Sequence, residues 1–246
     1  MNDKQIEINR YNHRAQQIIT GEQNYKKKPN YLTIPNKFYF NLIERNKNKK
    51  DLLEVGAGTG ENTLRLIQLN LNVCAIDISS KSVEVMEKKF IKYKNFSAKV
   101  ADMEKLPFKK ESFDIICSAG SLSYGDNDIV MSEIYRVLKP LGVVVIMDSL
   151  NNNIIYKLNR YLHYYRGNRT KSTINRIPNI NLINKYINKF GYGKVSYFGS
   201  ITWMFPFLKI FFSEKFICNF SNWIDETLKI KKSAFKFVLM LNKKNL

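Results

Sequence analysis

Acidic residues are scarce in this sequence: 21 Asp and Glu stand against 40 Lys and Arg in 246 residues, a formal charge of +19. Histidine occurs twice and cysteine three times. Cys74, Cys117 and Cys218 lie far apart and form no Cys-x-x-Cys pair. That spacing argues against a disulfide framework and a structural zinc, and it fits a reducing compartment. No metal is expected. Long apolar runs are also missing. The best candidate, residues 201–212, is interrupted by Pro206 and Lys209, and it falls short of the roughly 18 to 20 residues a membrane span requires. The first nine residues are polar, and no apolar signal segment follows within the first thirty. A cytoplasmic protein is the expectation. Apolar residues make up an ordinary 44%, enough for one large domain with a sizeable core.

The missing acids are unevenly distributed. Residues 151–200 hold nine Lys or Arg and no Asp or Glu, and residues 151–246 hold seventeen basic and three acidic side chains, or +14. The first 150 residues carry the remaining +5. Abundant Lys, Asn and Ile fit the drift of an AT-rich genome, which accounts for the lysines but not for the loss of acids. A positive field concentrated in one half would steer a phosphate-bearing or membrane-bound partner.

Residues 1–50 read as helical. Ile6, Tyr11, Ala15, Ile18 and Ile19 recur at helical spacing until Gly21 and the basic loop Lys26-Lys27-Lys28-Pro29. A second helix starts near Pro35 and carries Phe38, Tyr39, Leu42 and Ile43. Strand and helix then alternate. Apolar strands are expected at 51–55, 73–76, 96–100, 113–117 and 143–147, and helices at 62–69, 80–90 and 128–138. Beyond them, 151–189 reads as helical, 195–203 as a sixth strand, 204–230 as an aromatic segment and 234–241 as a seventh strand. The expected fold is α/β: a Rossmann-like, seven-stranded, mostly parallel sheet with helices on both faces, plus N-terminal helices and a C-terminal helical cap. The divisions are 1–50, 51–150 and 151–246, the last holding the cap and the final strands of the same domain.

Glu54-Val-Gly56-Ala-Gly58-Thr-Gly60 follows the first strand and precedes a helix. Glycines at alternate positions let the backbone approach a ligand closely. A dinucleotide fingerprint wants a further glycine where this chain has Glu61, and a carboxylate there suits an ammonium or sulfonium better than a diphosphate. Asp77 ends the second strand, where a carboxylate can accept from both ribose hydroxyls. Asp102-Met103 follows the third strand, with Asp able to accept from an adenine amine and Met able to pack on the ring. Singly, each reads as an ordinary strand-end turn residue. Jointly, at the carboxyl ends of successive strands, they read as a binding crevice.

These segments, together with Leu106-Pro107-Phe108, Phe113-Asp114 and Tyr135-Arg-Val-Leu-Lys-Pro140, resemble the ordered motifs of class I S-adenosylmethionine-dependent methyltransferases. The likeness is closest to the ubiquinone/menaquinone-biosynthesis-like branch and covers about residues 51–148. One departure is Leu141, where that family has glycine. The resemblance implies S-adenosyl-L-methionine as cofactor. It also implies a binding shell of Tyr11, Glu54, Gly56, Ala57, Gly58, Asp77, Ile78, Asp102, Met103 and Ser118, with Glu54 on the methionine moiety and residues 1–50 as a lid. Residues 118–126, 166–178 and 199–203 resemble methyltransferases of bacterial surface-polysaccharide gene clusters. That likeness implies a small-molecule acceptor, a hydroxyl of a sugar nucleotide or another phosphorylated precursor of a capsule or O-antigen.

A hydroxyl acceptor needs a base within reach. His13, His163 and Tyr124 are the candidates, each set against a plain surface or core role. Asp126 reads as the N-cap of the following helix. Arg166, Arg169, Lys171 and Arg176 form a basic series suited to phosphate, or else a solvated helix face. The aromatic run Trp203, Phe205, Phe207, Phe211 and Phe212 reads foremost as core packing beneath a cap, with a peripheral membrane contact left open. A nucleotide-linked phosphoramidate, an isoprenoid or lipid, and RNA remain alternative acceptors. An NAD(P)-dependent oxidoreductase is a distant alternative, weakened by Glu61. Nucleic acid is not favoured, because the motifs of base methyltransferases are missing after the fourth strand. Monomer and homodimer both stay open.

Overall fold

The computed structural model describes residues 3–22, 33–167, 169–228 and 230–244; the basic loop expected at residues 26–29 lies outside them. A seven-stranded sheet forms in the order β3-β2-β1-β4-β5-β7-β6. The strands are β1 (Asp51–Val55), β2 (Asn72–Asp77), β3 (Phe96–Val100), β4 (Phe113–Ala119), β5 (Leu138–Ser149), β6 (Gly191–Phe198) and β7 (Lys236–Lys243). The first five pair in parallel, and β7 runs antiparallel to both β5 and β6. Strands that alternate with helices can return only by crossovers, which place helices on both faces and bury the sheet between them.

The two faces are read directly from residue alternation. Leu53 and Val55 of β1 and Val144 and Ile146 of β5 point into one apolar layer. Leu52 of β1 and Val143, Val145 and Met147 of β5 point into the other. The first layer is covered by α5 (Asn127–Val137) and α8 (Ile180–Phe190), through residues such as Ile134 and Ile183. The second is covered by α2 (Thr33–Glu44), α3 (Thr63–Ile67) and α4 (Ser80–Phe90), through Tyr39, Leu66 and Met86. Asp126 caps α5 as expected, accepting from Asp128 and Ile129 N–H, and Ser79 caps α4, accepting from Ser82 N–H. Lys243 pins the last strand to α5, its Nζ donating to Tyr135 O at 3.0 Å and Leu138 O at 2.7 Å, where a cation suits a helix carboxyl end.

Several boundaries move. The helical stretch expected over 151–189 is three helices: α6 (Ile154–Tyr165), α7 (Lys171–Asn175) and α8. Gly167, at φ +69°, ends the first, and Pro178 precludes continuity between the other two. The sixth strand ends at Phe198 rather than residue 203, because Gly199 turns the chain at φ +72°. The seventh strand starts and ends two residues later than expected.

The aromatic run is a correction. Phe205 packs under the cap with Ile217 and Cys218. Phe207, Phe211 and Phe212 are 67%, 78% and 48% exposed, so they are not core. α9 (Phe205–Leu208) and α10 (Glu214–Thr227) bury only the side of their hairpin that faces the sheet. Among the described residues no helix is long and apolar enough to cross a membrane.

Leu141 adopts φ +58° in the turn that leads into the buried part of β5, and its side chain is 59% exposed. A β-carbon in the left-handed region costs about 1–2 kcal/mol, partly offset by the entropy a glycine loses on folding. Leu141→Gly should therefore stabilise the fold by up to about 1 kcal/mol in urea unfolding; a loss of stability would show that the side chain contributes packing there.

Candidate cofactor site

The carboxyl ends of β1, β2, β3 and β4 open into one cavity, roofed by α1 (Asp3–Ile19). Its floor is the turn Gly56-Ala57-Gly58. Gly56 lies so close to Ser121 that a β-carbon would stand 2.4 Å from that residue's own. Gly58, at φ +58°, has open space on the side where a β-carbon would project. The first glycine lets two strand-end turns touch, and the second leaves the cavity bare.

Asp77 holds this turn. Its carboxylate accepts from Gly58 N–H at 2.8 Å with one oxygen and from Ser79 N–H at 2.9 Å with the other. Burial pushes its pKa up from the usual carboxylate value, opposed by the backbone N–H groups of Ser79, Gly58 and Ile78. Each carboxylate oxygen has lone pairs beyond the one so engaged. Ile78, Ala101, Asp102 and Met103 form the adjoining wall, and Glu61 and Asn62 stand where the chain leaves the turn.

Eight of the ten expected cofactor residues line the cavity: Tyr11, Gly56, Ala57, Gly58, Asp77, Ile78, Asp102 and Met103. Glu54 and Ser118 do not. Glu54 pairs in register with Ala75 and Cys117, so it points into the layer beneath the turn, where it accepts from Thr63 Oγ1 at 2.6 Å. Ser118 is buried behind Ser121, with their hydroxyls 2.5 Å apart, and Ser121 Oγ donates in turn to Val55 O at 3.1 Å. Both residues support the turn from behind.

Tyr124 also lines the cavity and meets Tyr11 edge-on, with ring centroids 5.4 Å apart. Burial and the neighbouring Tyr124 push the Tyr11 phenol well above its usual value, which keeps Tyr11 protonated, a donor and not a base. His13 and His163 do not line the cavity. His13 is exposed on α1, two residues and therefore roughly half a helical turn from Tyr11. His163 lies on α6. Arg166 and Lys171 are exposed, and Arg176 lies beside Asp3, whose carboxyl Ser172 and Arg176 hold below the usual range. Arg169 neighbours the buried pair Asp148 and Arg160; burial and the Arg169 charge push Arg160 down to about 10. None of the four basic residues lines the cavity.

Lys4 and Glu7 are cavity residues that the sequence reading missed. With Tyr11 they recur at i, i+3 and i+7, one face of α1. Lys4 bonds to Asp102 and, at 2.7 Å, to Glu104. Glu7 is 6% exposed and accepts from Arg10 at 2.7 Å, Thr173 at 3.1 Å and Thr170 at 3.2 Å. Asn12 accepts from Ser79 Oγ at 2.7 Å. The helix is tied to β2 and β3 on one side and to the loop and helix at 170–173 on the other. Its periodic face was the available signal, hidden because its members are polar.

Among known proteins, residues 53–146 match the family model described as a methyltransferase domain. An uncharacterized methyltransferase-like protein of Schizosaccharomyces pombe is 32% identical over 47% of this chain and 45% of its own length. A demethylmenaquinone methyltransferase of Lactobacillus johnsonii is 36% identical over 43% of this chain and 47% of its own. The chain thus spans about half the length of the curated relatives it matches. The fold is also that of Haemonchus contortus phosphoethanolamine N-methyltransferase 2, solved with phosphomonomethylethanolamine and S-adenosylhomocysteine. That match has a TM-score of 0.59 and 19% identity over 85% of this chain and 53% of the other.

Because Asp77 binds its proton more tightly folded than unfolded, the stability it contributes is full below the unfolded carboxylate value. That contribution is lost as pH rises through the raised folded value. Asp77→Asn removes this titration and one of the two turn bonds. The variant's melting-temperature deficit should narrow as pH rises from about 4 to about 7; a deficit that widens would contradict the burial assigned to Asp77.

Proposed function

We infer that this chain, with its methyltransferase domain at residues 53–146, is an S-adenosylmethionine-dependent methyltransferase acting on a small-molecule acceptor. The observation that carries the reading is the buried Asp77 carboxylate gripping the Gly58 turn at the rim of the cavity. Its remaining lone pairs suit the two ribose hydroxyls. Met103 offers an apolar wall for adenine, Asp102 an acceptor for its amine, and bare Gly58 a close approach for the nucleoside. Glu61 suits the ammonium of the methionine part. Four carboxylates around one cavity, those of Glu7, Glu61, Asp77 and Asp102, disfavour a diphosphate and so the oxidoreductase alternative.

Bound there, S-adenosylmethionine supplies an electrophilic methyl on a sulfonium, and transfer is an in-line displacement. The protein's own work is to hold the acceptor atom opposite that methyl and keep water out, and positioning of this kind supplies much of the rate. Gly120, Tyr124, Tyr11 and Glu7 line the remaining side of the cavity. Tyr11, held protonated, orients an acceptor by donation. The Glu7 carboxylate and the Tyr124 hydroxyl stand as the polar groups for an acceptor proton, a part the two histidines are not placed to play.

The acceptor that fits best is a hydroxyl of a sugar nucleotide or other phosphorylated precursor of a bacterial surface glycan. Support comes from the acid-free residues 151–200, which give phosphate a positive approach, and from the motif resemblance of the cap. An isoprenoid acceptor is the second reading, favoured by the demethylmenaquinone methyltransferase among the relatives.

Calorimetry should detect S-adenosylmethionine binding, and Asp77→Ala should weaken it by about tenfold or more, the loss of roughly 1.4 kcal/mol expected for hydrogen bonds to a charged group. Incubation with sugar nucleotides should give a product heavier by one methylene in mass spectrometry. A gain only with isoprenoid quinols would move the acceptor to the second reading, and no cofactor binding at all would end the proposal.

A further inference from the structure

We propose that the α9–α10 hairpin and α6 form a docking face for an anionic lipid bilayer. α10 carries two apolar stripes. One, Ile217, Ser221 and Ile224 with Cys218, is buried. The other, a quarter-turn away, runs Phe216, Phe220 and Trp223 and is continued by Phe212 just before the helix. These four are between 42% and 56% exposed. Their rings form a ladder, with successive centroids 5.1, 6.3 and 6.0 Å apart and interplanar angles of 25°, 8° and 17°. Phe207, Ile210 and Phe211 extend the patch at 67%, 73% and 78% exposed.

α6 repeats the arrangement. It turns Tyr156 and Arg160 inward and leaves Ile154, Leu158, Leu162 and Tyr165 at 67%, 60%, 55% and 80% exposed. Both helices are anchored to one turn. Tyr156 of α6 bonds to Gly199 O and Thr202, and Asp225 of α10 accepts from Gly199 N–H and Ser200 N–H. The two stripes flank that turn, on the edge of the sheet remote in sequence from the glycine loop. Exposed apolar surface of this extent on two helices anchored to one turn marks an interaction site.

Charge decides the occupant. Residues 151–246 carry +14. Their three acids, Glu214, Asp225 and Glu226, all lie on α10, where Glu214 pairs with Lys209 and Asp225 is taken up by the Gly199 turn, while Lys215, Lys231 and Lys232 are exposed around the α9–α10 hairpin. A second copy would bring the same sign against itself, whereas an anionic leaflet attracts it. Aliphatic residues interleaved with the rings suit acyl chains and headgroup-level aromatics. They offer a nucleic acid little to stack on, and the ladder's own rings already occupy one another's faces. The inference is independent of the cofactor reading, since it concerns the opposite end of the chain and a different chemistry.

The test uses the full chain with a Trp203→Phe background, so that Trp223 reports alone. Phosphatidylcholine vesicles containing phosphatidylglycerol should sediment the protein and shift its fluorescence to the blue, with binding about tenfold weaker to phosphatidylcholine alone. Phe207→Ser with Phe211→Ser should weaken binding by a further factor of about ten or more while leaving the melting temperature unchanged, since these side chains are 67% and 78% exposed. Four results would overturn the proposal: no sedimentation with either vesicle; binding that the serine variants leave intact; binding of single-stranded RNA in preference to vesicles; or a solution dimer that only the serine variants dissociate.

Discussion

A single carboxylate holds the site together. Asp77, at the end of β2, reaches across to the turn that ends β1 and binds Gly58 N–H while its other oxygen starts the approach to α4 through Ser79 N–H. The turn has only the Ala57 methyl of its own with which to hold a shape, because its glycines leave the cavity bare. It is therefore fixed from outside: by Asp77 at the rim, by Ser121 packed against Gly56, and by Glu54 and Thr63 beneath. Backbone donors offset part of the desolvation cost at Asp77, and burial still holds its pKa above the usual carboxylate value.

The roof over that cavity is as polar as its floor is bare. α1 bears no broad apolar face; Glu7 and Ala15 are its buried residues. It is seated by charge and hydrogen bonds to both flanks, Lys4 and Asn12 toward β2 and β3 and Glu7 toward residues 170–173. Lys4 bonds to Asp102, the carboxylate assigned to adenine. Seating of the helix and filling of the nucleoside pocket thus draw on one side chain. Polar contacts of this kind exchange with water and ligand more readily than a packed apolar seam, a property suited to an element that covers a small-molecule site.

The parallel core was legible in the sequence because its signals are local. Short apolar runs ending in Gly or Asp, separated by amphipathic helices, can hardly be read otherwise, and Asp77 and Asp102-Met103 stand where such strands end. Glu54 stays out of the cavity lining because it lies within β1, beneath the turn, where Thr63 donates to its carboxylate. Lys4 and Glu7 escaped notice because polar residues at helical spacing resemble any solvated face, and only the tertiary placement of α1 buries them. The cap was least legible. Its aromatic residues look like core by composition, and which side of α10 meets the sheet depends on packing that no local pattern encodes. The basic series past β5 is likewise dispersed around the turn at Gly167 into exposed and half-buried positions.

The structure of the protein with S-adenosylhomocysteine bound tests the account most directly. The ribose hydroxyls should lie within hydrogen-bond distance of the Asp77 carboxylate, the adenine ring against Met103, and the amino-acid end toward Glu61. A nucleoside found away from Asp77, or a dinucleotide held on the Gly58 turn in its place, would contradict it.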